Sequence, residues 1–133
     1  MTYALDSNTI IHLLNHNEAV LARRQEAVAA GARFIIPPVV DYEIQRGLLY
    51  RSAPKKEQLY KALISYYGVG EMTAAAWARA ASIYAELRRK SLTIGDGDIF
   101  IAAFCMLDNC TLVTNNTKHF ENINGLKTVD WVM

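Results

Sequence analysis

The chain has 133 residues, 52% of them apolar and 20% charged, with a formal net charge of +1. That length makes one domain, residues 1–133, with room for a real core, and the composition excludes a disordered chain. Near-neutral charge gives no global signal for a nucleic-acid partner, and no apolar run approaches the ~20 residues of a membrane span. The N-terminus shows no basic, apolar leader, and Cys105 and Cys110 form neither a CxxC motif nor a disulfide framework. The expectation is a cytoplasmic protein with no membrane partner and two packed thiols.

In chain order, Tyr3 to Asp6 reads as a short buried strand. Ser7 or Asn8 is positioned to cap a helix through Leu14. Glu18 to Ala30 is alanine-rich and helical, with Gly31 as its stop, and Arg33 to Ile36 is a second short strand closed by Pro37-Pro38. Proline is tolerated at a helix start, so Val39 to Leu49 follows as a helix carrying Glu43. Lys55 to Tyr66 is amphipathic, with Leu59, Leu63 and Tyr66 on one face. Tyr67 to Glu71 is predicted as a third strand between flexible glycines. Thr73 to Lys90 is a long helix whose basic end, Arg88-Arg89-Lys90, suits the helix dipole. Gly95 to Asp98 is a turn, and Asp98 starts a helix through about Leu107. Thr111 to Thr114 is a strand, and Thr128 to Trp131 a last, edge strand. Strands alternating with helices predict a parallel sheet covered on both faces, with sites at the carboxyl ends of the strands.

Three acids sit against the grain of this pattern. Asp6 ends an apolar run, Glu43 lies within Ile35 to Ile44, and Asp98 opens Ile99-Phe100-Ile101-Ala102-Ala103. A carboxylate in apolar sequence is costly to bury unless it is paired or binds a cation. Three of them, gathered by the fold, make a site of hard oxygen donors suited to Mg2+ or Mn2+. Asp96 is positioned to add negative charge, and Asn116 offers hydrogen bonds without charge. Each acid also has a plainer role as a helix cap, a turn residue or a solvated helix face. His12, His16 and His119 read as surface or partly packed histidines, because a lone histidine specifies little.

The residues in sequence resemble the PIN-domain ribonucleases, and within them the VapC toxins of toxin–antitoxin pairs. The resemblance runs from Tyr3 to Trp131. Its first motif is Leu5-Asp6-Ser7-Asn8-Thr9-Ile10-Ile11, and its second is Val40 to Gly47, a helical glutamate with a glycine four residues on. The third, Ile94-Gly95-Asp96-Gly97-Asp98 through Ala103, is the most specific, and the fourth runs from Leu112 through Asn116 to Phe120. The resemblance implies a three-layer α/β/α sandwich around a short, mostly parallel sheet. It implies an endoribonuclease using Mg2+, or Mn2+, held by Asp6, Glu43 and Asp98.

Glu43 would complete the metal set, or orient and deprotonate the attacking water. Ser7 and Thr114 would hold carboxylates by hydrogen bonds. The products would carry a 5′-phosphate and a 3′-hydroxyl. The family's fourth position, often Asp, is Asn116 here, and Asp96 would restore some of the missing charge. Tyr42 replaces a small residue found in many relatives, which implies altered packing behind Glu43.

Charge is unevenly spread. Arg46, Arg51, Lys55, Lys56 and Lys61 stand against Glu57 alone over one stretch, and Arg88, Arg89 and Lys90 precede the acidic turn. Both patches are candidates to meet RNA phosphates, or are ordinary solvated faces. The first also carries Leu48, Leu49, Tyr50, Leu59, Tyr60 and Leu63, a surface able to take a partner's amphipathic helix. The resemblance implies an antitoxin there, a basic side chain of it among the carboxylates, tRNA or rRNA as substrate, and a homodimer. The alternatives are an RNA-processing nuclease without an antitoxin, and a weakly catalytic binding module.

Overall fold

The computed structural model describes residues 1–132. Its centre is β1 (Thr2–Leu5), which pairs in parallel with β2 (Arg33–Ile35) on one side and β3 (Thr111–Val113) on the other. β4 (Lys127–Val129) joins β3, also in parallel, giving the order β2-β1-β3-β4 with β4 at an edge. Ala4 stands opposite both Ile35 and Leu112. Ala4, Leu5, Leu112 and Val113 are wholly buried, as the two middle strands of a covered parallel sheet must be.

Helices α1 (Ser7–Leu14), α2 (Glu18–Ala29), α3 (Pro38–Arg51), α4 (Pro54–Tyr67), α5 (Ala74–Arg89), α6 (Asp96–Leu107) and α7 (Thr117–Phe120) complete the described residues. This is the α/β/α sandwich expected, with a sheet that is parallel throughout. α6 is apolar on nearly every side, from Ile99 to Cys105, and accordingly lies buried, packed most heavily on α5. Phe104 lies buried in its second half, and Gly70 passes so close to that ring that there is no room for a Cβ. Full burial of a side chain such as Phe104 contributes about 1.5–3 kcal/mol.

Four expectations need correction. The predicted strand over Tyr67 to Glu71 does not form. α4 runs on through Tyr67, Gly68 turns the chain with φ +77°, and only Val69 bridges to Ile36. α1 is capped by Asp6 itself, whose side chain accepts from the Ser7 N–H, not by Ser7 or Asn8. α6 begins at Asp96, so Asp98 lies inside its first turn instead of starting it. The one-turn helix α7 was not anticipated. Tyr42 is also outside the packing behind Glu43. It is 61% exposed, with the Arg46 guanidinium 5.1 Å above its ring.

The two thiols belong to the end of α6. Asn109 turns left-handed at φ +53°, and the Cys110 N–H donates back to the Cys105 carbonyl. That closure places the two side chains as the apolar pair of a helix stop. Burial raises the Cys105 thiol well above its usual range and the Cys110 thiol to about 11, so both stay protonated and inert.

Candidate active site

Asp6 emerges from the carboxyl end of β1 and is 95% buried. Its backbone N–H continues the sheet by donating to the Val113 carbonyl at 3.0 Å. Its carboxylate is oriented from two sides. Oδ1 accepts from the Ser7 N–H at 2.8 Å, and Oδ2 accepts from the Thr114 hydroxyl at 2.8 Å. Asn8 Nδ2 reaches both Asp6 Oδ2 and Thr114 Oγ1 at 3.4 Å. Thr114 Oγ1 in turn accepts from the Asn116 N–H at 3.0 Å. Asn8 Oδ1 accepts from the Asn115 N–H at 3.2 Å, and Thr9 donates to the Val113 carbonyl at 2.9 Å. The start of α1 is thereby tied to the end of β3. No buried polar side-chain atom among the described residues lacks a partner.

Glu43 comes from the second turn of α3 and is half-buried. Its Oε1 accepts from the Ser7 hydroxyl at 2.6 Å, the short distance of a charge-assisted bond. Its Oε2 faces Gly97, where an added Cβ would stand 3.4 Å away, so the first turn of α6 passes in contact with Glu43. Asp98 lies in that turn, 31% exposed, with His119 Nδ1 3.4 Å from its Oδ2. Carboxylates at a helix N-terminus are favoured by its dipole.

Asp6 feels the others directly. Burial raises its pKa most. The Thr114 and Ser7 hydrogen bonds lower it, and the negative charges of Asp98 and Glu43 raise it again. The net direction is upward, set first by burial and reinforced by the two neighbouring carboxylates.

The sequence-predicted residues therefore divide. Asp6, Glu43 and Asp98 line one end of the sheet, with Ser7 and Thr114 bonded to two of them. Asp96 is exposed at the start of α6. Asn116 is exposed at the head of α7, and its side chain makes no capping bond. Of the basic residues, Arg51 and Lys56 share a groove with Glu43, while Arg46, Lys55, Arg88, Arg89 and Lys90 are exposed on helix surfaces. Arg88 lies over the Tyr84 ring at 5.5 Å. Sequence reasoning missed Asn8 and Thr9 as members of the network, and it set His119 aside as a surface residue. His119 is 60% exposed, yet it reaches Asp98. Only the position of Asn8 and Thr9 just after Asp6 could have flagged them.

The donors are hard oxygens, the set that Mg2+ and Mn2+ prefer. Among the described residues, no three His, Cys, Asp or Glu side chains close tightly enough to hold an ion by themselves. Mg2+ in general binds through one or two carboxylates and keeps several waters or substrate phosphates, so the fit rests on the donor chemistry.

The PIN domain family model matches residues 3–126. The chain is 31% identical to Ribonuclease VapC2 of Rickettsia felis, over 98% of each. It is 28% identical to the tRNA(fMet)-specific endonuclease VapC of Shigella flexneri, again over 98% of each. Among solved structures, VapBC2 from Rickettsia felis bound to a promoter DNA fragment superposes with a TM-score of 0.89 at 27% identity, covering 98% of this chain and 99% of that one.

Proposed function

We propose a function from one premise: the chain belongs to the PIN-domain family and, within it, to the VapC ribonucleases. On this reading it is an endoribonuclease dependent on Mg2+ or Mn2+, and the toxin of a cytoplasmic toxin–antitoxin pair. The observation that carries it is the state of Asp6. A buried carboxylate held by neutral donors, and repelled by Asp98 and Glu43, is a costly arrangement that a divalent cation relieves.

Asp6 and Asp98 are the residues that would hold the cation, with Glu43 beside them. Bound there, it would neutralise charge on the phosphoryl group and acidify a water. The chain's own residues do the rest. Ser7 and Thr114 fix the carboxylates in rotation, which partners of this kind do for metal sites in general. Glu43 keeps one oxygen on Ser7 and turns the other toward α6, where it can accept a proton from the attacking water. In-line attack leaves a 5′-phosphate and a 3′-hydroxyl. The Shigella relative's name supports tRNA as the first substrate to test.

The antitoxin surface is assigned to the α3–α4 hairpin. Leu49 is 70% exposed and Tyr50 90%, and both lie beside basic side chains. An amphipathic helix with acidic residues on its flank would cover them. The solved Rickettsia neighbour is a VapBC toxin–antitoxin complex, which supports an antitoxin partner. A homodimer belongs to the same reading, on family resemblance.

Incubating purified protein with total RNA and Mn2+, then sequencing new 5′ ends, tests the enzymatic claim. Wild type should give discrete 5′-phosphate ends. Asp98→Asn should lower the rate by more than about 100-fold, since even residues behind a metal ligand cost 10–100-fold. Intact RNA with wild type, or equal cleavage by the variant, would refute it.

A further inference from the structure

A groove of about 250 Å³ opens beside Glu43. Glu43 stands at one end and Arg51 and Lys56 at the other, with Ile11 and Leu48 among its apolar walls and Gly47 between them. Gly47 is the informative residue. It sits well inside α3, where glycine weakens a helix relative to alanine. Nothing in the fold asks for it. Its φ is not in the left-handed region, and a Cβ built there meets no atom within 4 Å. What the missing side chain leaves is open space in the groove, one turn of helix from Glu43.

We propose that this groove is a nucleotide subsite, taking one unpaired base of the RNA next to the scissile phosphate while Arg51 and Lys56 hold the following phosphates. The volume lies below the roughly 300–1,000 Å³ of pockets for larger ligands, which suits a single ring system with part of its sugar. Unstacked bases pack on apolar walls, and Arg and Lys grip phosphates without reading sequence. The charge order favours RNA over an acidic protein segment. A base in the groove would leave one flanking phosphate at the metal end and the next at the two cations. The inference rests on the nuclease reading above and adds to it the place where substrate is selected.

Gly47→Leu fills the groove without replacing Asp6, Glu43 or Asp98, and Gly47→Ala is its control. Both are assayed on total tRNA with Mn2+ across a range of tRNA concentrations. In parallel, the Mn2+-induced rise in Tm is measured without RNA. Gly47→Ala should raise Tm and keep kcat/KM within about twofold of wild type. Gly47→Leu should lower kcat/KM about tenfold or more, chiefly through KM, and show the same Mn2+-induced rise in Tm as wild type. A folded Gly47→Leu that cleaves tRNA within about twofold of wild type would overturn the subsite, and if it also loses a co-expressed antitoxin the groove belongs to that protein instead. Wild type that leaves tRNA uncut while showing the Mn2+ shift would instead sink the tRNA-cleavage reading, and with it this one.

Discussion

The acidic end of the sheet and the α3–α4 hairpin make opposite use of polar and apolar groups. Around Asp6, polar side chains are buried or half-buried and bonded to one another, from Ser7 and Asn8 on α1 to Thr114 after β3. On the hairpin, apolar side chains are left in water, with Leu49 70% and Tyr50 90% exposed. The first region spends stability to hold like charges in fixed positions. The second leaves apolar surface uncovered that burial would reward. The proposed function places its site and its partner where each departs from what the isolated fold would choose.

The contrast can be broken most sharply at Thr114. Thr114→Val keeps the shape and removes the hydroxyl on Asp6 Oδ2. Affinity for Mn2+, read as the concentration giving half-maximal cleavage, should weaken by about 10–100-fold. At the hairpin the opposite pattern is expected. Leu49→Ser and Tyr50→Ser should change stability by no more than about 0.5 kcal/mol and leave RNA cleavage intact. A Tyr50 buried by the partner should cost antitoxin binding about 2 kcal/mol when truncated, measured by titration calorimetry. An antitoxin bound as tightly by both variants as by wild type would place the partner elsewhere.

A modest structural effect is expected inside the hairpin itself. Tyr60 on α4 donates to Asp41 Oδ1 at 2.7 Å, and Gln45 holds the other Asp41 oxygen at 2.8 Å. Burial first, and then this bond, raise the Tyr60 phenol, so it remains a donor. Tyr60→Phe should cost about 1 kcal/mol in urea unfolding, because Asp41 keeps Gln45 and access to water. A loss several times larger would mean that the hairpin depends on this bond more than its partial exposure suggests.

The sequence exposed the acids because a carboxylate in an apolar run has few structural excuses, and Asp6 is the clearest instance. The order of strands and helices followed from short apolar runs alternating with helical periodicity. What stayed illegible had physical reasons. Tyr67 to Glu71 has the residues of a strand, yet α4 consumes Tyr67 and Gly68 turns the chain, leaving one bridging residue. α7 is four residues long, too short to display a period. His119 meets its partner Asp98 only in the folded chain, and Asn8 likewise meets Thr114 far off in sequence. Asp6 was read as a strand end with a cap following it, whereas one carboxylate serves as the helix cap and faces the site.

The most direct test of the account is the Tm of metal-free protein against pH, for wild type and Asp6→Asn, repeated with Mn2+ and without RNA. Asp6 titrates above its ordinary value in the folded protein, so the folded state binds more protons than the unfolded state between the two values. Wild type should therefore lose stability as pH rises through that window, with the full penalty present at neutral pH. Asn keeps the helix cap and removes the charge, so Asp6→Asn should melt higher than wild type at neutral pH without metal, with the advantage vanishing in acid. Mn2+ should raise the wild-type Tm, by linkage worth about 2.7 kcal/mol at one hundred times Kd, and leave Asp6→Asn unmoved. A metal-free Asp6→Asn that melts below wild type at neutral pH, or the same Mn2+ response in both proteins, would contradict the claim that this buried carboxylate is held at a cost for a cation.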